Sequence, residues 1–152
     1  MQSTCQLVVF ALDGQHYALP LDTVERVVRM VNVTSLPKAP AIVSGVVNVG
    51  GQITPVVNMR KRCRLPERDV ALSDQLIVAR TARRPLALVV DTVLDVVDCP
   101  RQDIIPAERI LAEMEYVAGV VKLADGMLFI HDLDTFLSRE EAQSLDDAIG
   151  NV

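Results

Sequence analysis

The side chains capable of chemistry in this chain are few and scattered. An acid–base group would come first from the run His131-Asp132-Leu133-Asp134, because a histidine beside carboxylates readily carries a proton near neutral pH. The same run leaves a strand and enters a helix, however, and aspartates placed there cap backbone N–H groups, which is the better account of them. His16 and His131 stand far apart, without His-x3-His or Glu-x-x-His spacing, so a structural histidine is a stronger reading than a metal ligand. No serine or cysteine sits in a Gly-x-Ser-x-Gly elbow. Cys63, between Arg62 and Arg64, has positive charge close enough to favour some thiolate, yet a loop thiol without a partner cysteine is more simply incidental. The remaining reading is a small β-barrel enzyme or ligand-binding module that uses the cleft between subdomains, with Asp91, His131 and Asp132 as candidate groups, and it requires those polar groups to converge on one pocket.

The stretch Gly45 to Asn58, GVVNVGGQITPVVN, has a superficial phosphate-loop look. A phosphate loop needs Gly-Lys-Ser/Thr opening a helix, whereas Gln52 opens a second valine-rich run. Gly50-Gly51 is therefore expected to form a tight turn whose backbone needs positive φ.

Composition narrows the function classes. The chain has 152 residues, half of them apolar, which is one domain with a substantial core. Its longest apolar runs, such as Leu7 to Leu12, are far too short to cross a bilayer, so no direct membrane insertion is expected. The N-terminus lacks the features of a secretory signal, and Cys5, Cys63 and Cys99 are odd in number and distant from one another. Three free thiols and a cytoplasmic location follow, and Asn32-Val33-Thr34 is then no glycosylation site. A net charge of −5 argues against nucleic acid as a partner. The basic cluster Arg60, Lys61, Arg62, Arg64 and Arg68 has no aromatic residue among it on which bases would stack, and it reads as a solvated strand end and loop.

The elements that must position these groups read as mainly β. Valine outnumbers leucine in short runs broken by Gly, Pro, Asp and Asn. Ten strands are expected, over residues 6–12, 17–19, 26–33, 45–49, 52–58, 75–80, 85–91, 93–97, 119–123 and 127–131. Asp13-Gly14 and Asp125-Gly126 suit two-residue hairpins, and LPKAP, Leu36 to Pro40, breaks any ladder. Pro55 should place its strand at a sheet edge or at a bulge. Short helices are expected over Asp22 to Arg26, around Glu108 to Met114, and at the C-terminus, where Ser138 and Glu141 form a capping box ahead of an apolar face of Leu137, Ala142, Leu145 and Ile149. The composition shift at Leu65 to Asp74 suggests two small barrels, roughly 14–70 and 71–137, with the N-terminal strand completing them and 138–152 as helix and tail.

Two long motifs carry a family resemblance. VVFALDGQHYALPLDTVERV, from Val8, and LPKAPAIVSGVVNVGGQITPVVNMRKR, from Leu36, together with LALVVDTVLDVVDCP and YVAGVVKLADGMLFIHDLDTFL, resemble the CheW family of bacterial chemotaxis coupling proteins over nearly the whole chain. The resemblance implies two five-stranded SH3-like β-barrels sharing a hydrophobic core, no catalysis and no cofactor. It also implies an adaptor that joins the regulatory domain of a CheA-type histidine kinase to the cytoplasmic tip of a methyl-accepting chemoreceptor.

By that resemblance receptor contact falls to Val24, Arg26, Val27, Asn48, Gly50, Gly51 and Ala87. The kinase would be met by Met30, Val33 and Leu36, apolar residues with no evident local core to fill, and by Ile104, Ile105 and Ile110. Gly50 stands where the family has the arginine of Asn-Leu-Arg-Gly, Arg26 where it has a glutamate, and Asn58 where it has an aspartate. The receptor contact is thus expected to be altered and the fold kept.

Overall fold

The computed structural model describes residues 3–109 and 116–150. It is built from eleven strands: β1 Thr4–Leu12, β2 Gln15–Pro20, β3 Val24–Arg29, β4 Val43–Val49, β5 Gln52–Val57, β6 Gln75–Arg80, β7 Pro85–Val90, β8 Thr92–Pro100, β9 Ile105–Pro106, β10 Val117–Leu123 and β11 Gly126–His131. Two short helices, α1 Met59–Arg62 and α2 Arg139–Gly150, complete it among the described residues, along with 3-10 turns. The fold is mainly β, and its two sheets correspond to two SH3-like subdomains.

One sheet runs β8-β1-β2-β11-β10-β9 and the other β3-β6-β7-β5-β4. The sheets do not divide at residue 70. β6 and β7 join the sheet of β3–β5, while β2 lies in the sheet of β1 and β11, so the chain changes sheet at Asp91, between β7 and β8. The loop at Leu65 to Asp74 is a connection within one sheet, and its polar composition reflects exposure rather than a boundary.

The second sheet closes on itself through a chain crossing. After β3 the chain reaches back to β4, where Thr34 and Val46 exchange backbone hydrogen bonds of 2.9 and 2.8 Å. That approach requires glycine at Gly45, since a Cβ there would overlap the Thr34 carbonyl, and φ is +153°. Gly50 and Gly51, at φ +58° and +88°, make the two-residue turn between β4 and β5, as Asp13 and Gly14 do between β1 and β2. In the β10–β11 hairpin the turn residues are Ala124 and Asp125, with Leu123 opposite Gly126, one position earlier than the sequence suggests.

Three apolar clusters fill the interior. The largest draws Phe10, Leu12 and Leu19 from one sheet and Ile77, Leu86 and Leu88 from the other, and so holds the two sheets together. Leu7, Ala18, Cys99 and Ile130 form a second cluster within the first sheet, and Val47, Val56, Leu76 and Ala87 a third within the other. Each fully buried Leu, Ile or Phe contributes about 1.5–3 kcal/mol by leaving water.

Several local expectations are corrected by long-range pairing. The strand expected from Arg26 begins earlier, at Val24, within the expected helix, because the β-branched Val24, Val27 and Val28 find partners on β6; only Leu21–Thr23 turns as a 3-10 helix. That strand stops at Arg29 instead of reaching Val33. β5 is an interior strand, and Pro55 is tolerated because its parallel pairing with β7 covers only Val56 and Val57. The basic run is helical at α1, with Asn58 accepting the Lys61 N–H at 3.0 Å as its cap. Of the helix expected around Glu108 to Met114, Ala107–Arg109 is a 3-10 turn and the rest lies outside the described residues.

The Ser138–Glu141 capping box forms in both directions, at 2.9 and 3.0 Å. It starts α2, which buries Leu145 and Ala148, with Leu145 in the main cluster. Arg62 ties α1 to α2, its Nη2 donating to Glu141 at 2.8 Å and its Nη1 to the Tyr116 hydroxyl at 2.6 Å.

Candidate functional site

Asp91 and His131 lie in two structural networks that share no partner. Asp91 accepts the Asp13 N–H at 2.8 Å, both ends of the Arg60 Nη2 contact at 2.8 and 3.0 Å, and Arg68 Nη2 at 2.9 Å. Burial pushes its carboxyl up, but the Asp13 N–H and the two guanidinium groups outweigh that and hold it below the ordinary carboxylate value. Asp91 is a charged clasp between β7, the β1–β2 turn and α1.

His131 lies in the main core, 3% exposed. Its Nδ1 is 3.2 Å from the Tyr116 carbonyl and its Nε2 3.8 Å from Cys63 Sγ. The ring stacks on Tyr17 at 4.9 Å and meets Phe136 edge-on at 5.0 Å. Burial depresses its pKa to about 4, against the raising effect of the Tyr116 carbonyl, so the imidazole is neutral at physiological pH. Burial also pushes the Cys63 thiol up to about 11, overriding Arg62, and the Tyr17 hydroxyl up to about 12. Cys63 is therefore held as the protonated thiol, half-buried against the main core. Asp132 caps the following 3-10 turn by accepting the Asp134 N–H at 3.1 Å.

These assignments dispose of the catalytic reading of Asp91, His131 and Asp132, since each side chain is engaged in a different place. The cleft beneath α2, about 270 Å³, is lined by Leu86, Leu133, Leu137 and Leu145 together with Arg83, Arg84 and Asp134, and holds none of Asp91, His131 and Asp132. Among the described residues no three His, Cys, Asp or Glu side chains could hold a metal ion, and no helix is long and apolar enough to cross a membrane.

The surface residues divide more unevenly. Arg26, Asn48, Gly50 and Gly51 gather around the tip of the β4–β5 hairpin. Asn48 Oδ1 accepts the Gly51 N–H at 2.9 Å and so closes the turn, and the Arg26 guanidinium reaches to Gly50. Ile53, directly opposite Asn48 and 52% exposed, belongs to the same hairpin. Sequence reasoning missed it; the signal was a β-branched residue two places after the turn, opposite the exposed Asn48.

Val27 is 39% exposed but follows Arg26 on β3, so it faces the opposite side of the strand. Val24 is half-buried against the main core. Ala87, expected at the receptor contact, is fully buried on the central strand β7 between the buried Leu86 and Leu88.

The apolar segment after β3 also differs from expectation. Met30 and Val33 pack on the cluster of Val47, Val56, Leu76 and Ala87, and Leu36 packs on the main core, so these residues do have a local core to fill. Val31, 43% exposed, is the apolar side chain of that segment which faces water. Ile104 packs on the cluster of Leu7 and Cys99, and Ile105, half-buried on β9, pairs with Val120. Ile110 lies outside the described residues. Asn58, besides capping α1, donates to Glu67 at 2.9 Å.

Comparison with known proteins extends the geometry. The model of the family described as CheW-like domain matches residues 6–141. The chain is similar to the chemotaxis protein CheW of Treponema pallidum, 27% identical with 92% of this chain and 86% of that one covered. It is likewise similar to the chemotaxis protein CheW of Bacillus subtilis, 27% identical with 91% and 90% covered. The crystal structure of the scaffolding protein TtCheW from Thermoanaerobacter tengcongensis superposes with a TM-score of 0.81 at 27% identity, covering 93% of this chain and 96% of that one.

Proposed function

The chain belongs to the CheW-like domain family, and from that premise we propose that it couples a CheA-type histidine kinase, through the kinase's regulatory domain, to the cytoplasmic tips of methyl-accepting chemoreceptors. CheW proteins are chemotaxis scaffolds and not enzymes, and this chain is one of them. It acts in the cytoplasm, at membrane-associated receptor arrays that it joins through its partners.

The observation that carries the receptor reading is the contiguity of Arg26, Asn48, Gly50 and Gly51 at one hairpin tip, with exposed Ile53 beside them. A receptor hairpin would meet the exposed Ile53 there, with the Arg26 guanidinium and the Asn48 side chain at its rim. The exchange of a glutamate for Arg26 and of an arginine for Gly50 replaces a balanced charge pair by a lone positive group, so the receptor that fits should present a carboxylate opposite Arg26. The kinase contact is assigned to the segment from Met30 to Leu36, with Val31 as its exposed anchor, and to Ile105 on β9.

Reconstitution tests this. Kinase, receptor-bearing vesicles and the chain are mixed and sedimented, and the kinase is expected in the pellet only when all three are present. Ile105→Asp should lower kinase recovery several-fold while circular dichroism stays native. A chain that binds no CheA regulatory domain under any of these conditions would overturn the coupling function, and an unchanged yield with Ile105→Asp would overturn that contact alone.

A further inference from the structure

Cys5 and Cys99, remote in sequence, stand directly opposite each other across the β1–β8 ladder. The ladder continues beyond them, since the Arg101 N–H donates to the Ser3 carbonyl at 3.1 Å, and Pro100, which has no N–H, faces Thr4. Hydrogen-bonded and non-bonded pairs alternate along an antiparallel ladder, which makes Cys5 and Cys99 a bonded pair with Cα atoms about 5.5 Å apart. A disulfide spans about 4.4–6.8 Å between Cα atoms and about 3.5–4.5 Å between Cβ atoms; directly opposed side chains leave the sheet on the same face, with Cβ atoms about 5.5 Å apart in a bonded pair, so closure draws the two strand ends about 1 Å together. Cys63 has no such partner, being placed beside His131 in the main core.

The two thiols differ in access. Cys5 is half-buried and lines an open cleft of about 730 Å³ with Thr4, Gln6, Asp22, Asp98 and Arg101. Cys99 stands beside it on the same face of the sheet, 7% exposed, in the cluster of Leu7, Ala18 and Ile130. Burial, with Asp103 and Cys5 adding to it, pushes the Cys99 thiol up. The geometry suits an attacking cysteine that solvent reaches and a less accessible resolving cysteine next to it.

We propose that Cys5 and Cys99 form a reversible thiol–disulfide site whose oxidant is a small soluble disulfide of the glutathione type. The Cys5 thiolate attacks one sulfur of the oxidant and expels one thiolate, leaving a mixed disulfide on Cys5. Cys99, giving its proton to solvent, attacks the Cys5 sulfur and expels the second thiolate. The protein thus loses two electrons and two protons, and the small disulfide becomes two thiols. In a reducing compartment the pair rests as the dithiol, and closure answers oxidative load. Closure staples β1 to β8 at the corner from which the Arg101–Asp103 turn and Ile104 leave, and Ile104 packs on the same cluster as Cys99.

The test equilibrates the full chain with buffers of rising oxidised-to-reduced glutathione ratio, quenches by acid, and counts thiols after denaturation. The expected result is a fall from the three free thiols to one, in monomeric protein, with the Cys5 and Cys99 peptides linked, recovery with dithiothreitol, and a higher melting temperature in the oxidised form. Cys99→Ser should retain glutathione on Cys5, which fixes the order of attack. Three thiols persisting at every ratio, links only between chains, a stable glutathione adduct on wild-type Cys5, or a link to Cys63 would each overturn the proposal.

Discussion

Arg26 Nη1 lies 3.4 Å from the point that a Cβ on Gly50 would occupy. The arginine on β3 therefore covers the space left open by the glycine at the hairpin tip, and the two positions form one local unit. Charge at one of them cannot change without changing what the other presents.

Arg26→Glu should convert the surface and leave the fold alone, because Arg26 is exposed and no ion pair holds it among the described residues. Titration against a chemoreceptor fragment by calorimetry is expected to show an affinity change of tenfold or more, corresponding to about 1.4 kcal/mol. Adding Gly50→Arg carries a separate penalty of about 1–2 kcal/mol, since φ at Gly50 is +58° and an L side chain resists that region. The double variant should melt lower than Arg26→Glu while binding an ordinary receptor tip more tightly. Equal affinities of wild type and double variant would leave Gly50-Gly51 as a turn alone.

Val33→Glu should unfold or strongly destabilise the protein, by about 3 kcal/mol or more, because Val33 packs on Val47, Val56 and Leu76 and a carboxylate there has no partner. Val31→Glu, at a side chain 43% exposed, should melt within a few degrees of wild type and lose kinase binding. A pull-down on the CheA regulatory domain, paired with thermal melts of both variants, separates core from contact.

His131 should impose a pH dependence on stability. Its pKa is about 4 in the fold against an ordinary 6.5, so between those values the unfolded chain binds the proton and the folded chain does not. Stability is fully present above about pH 6.5 and falls as pH drops toward 4, with a limiting slope of about 1.4 kcal/mol per pH unit. Asp74, Asp91 and Glu141, all held low, lose their contributions only as pH falls below their ordinary 3.8 to 4.5. Urea melts from pH 7 to 4.5 should show this slope in wild type and a flatter one in His131→Gln; parallel slopes would remove the histidine as its source.

Arg62→Ala should cost about 2 kcal/mol, because it deletes the bonds to Glu141 and Tyr116 from a side chain only 9% exposed. Arg62→Lys should recover little of it, since one ammonium does not reproduce the planar fork that reaches both partners. Thermal melts of the two variants check this, and full rescue by lysine would reduce the role of Arg62 to its charge.

Local chemistry made much of the fold legible in the sequence. The valine runs, the Asp13-Gly14 and Gly50-Gly51 turns and the Ser138–Glu141 capping box depend on residues within a few positions of one another, and each forms as its sequence dictates. Ladder partners were not legible, because β5, β6 and β7 are short apolar runs of similar length, and any of them would satisfy a neighbour's backbone. Only the packed structure sent β6 and β7 into the sheet of β3, buried Ala87 beneath both faces, gave Met30 and Val33 a core to fill, and brought Cys5 opposite Cys99. Those contacts join residues distant along the chain, and what selects them is the simultaneous burial of three apolar clusters, a property that no single segment possesses.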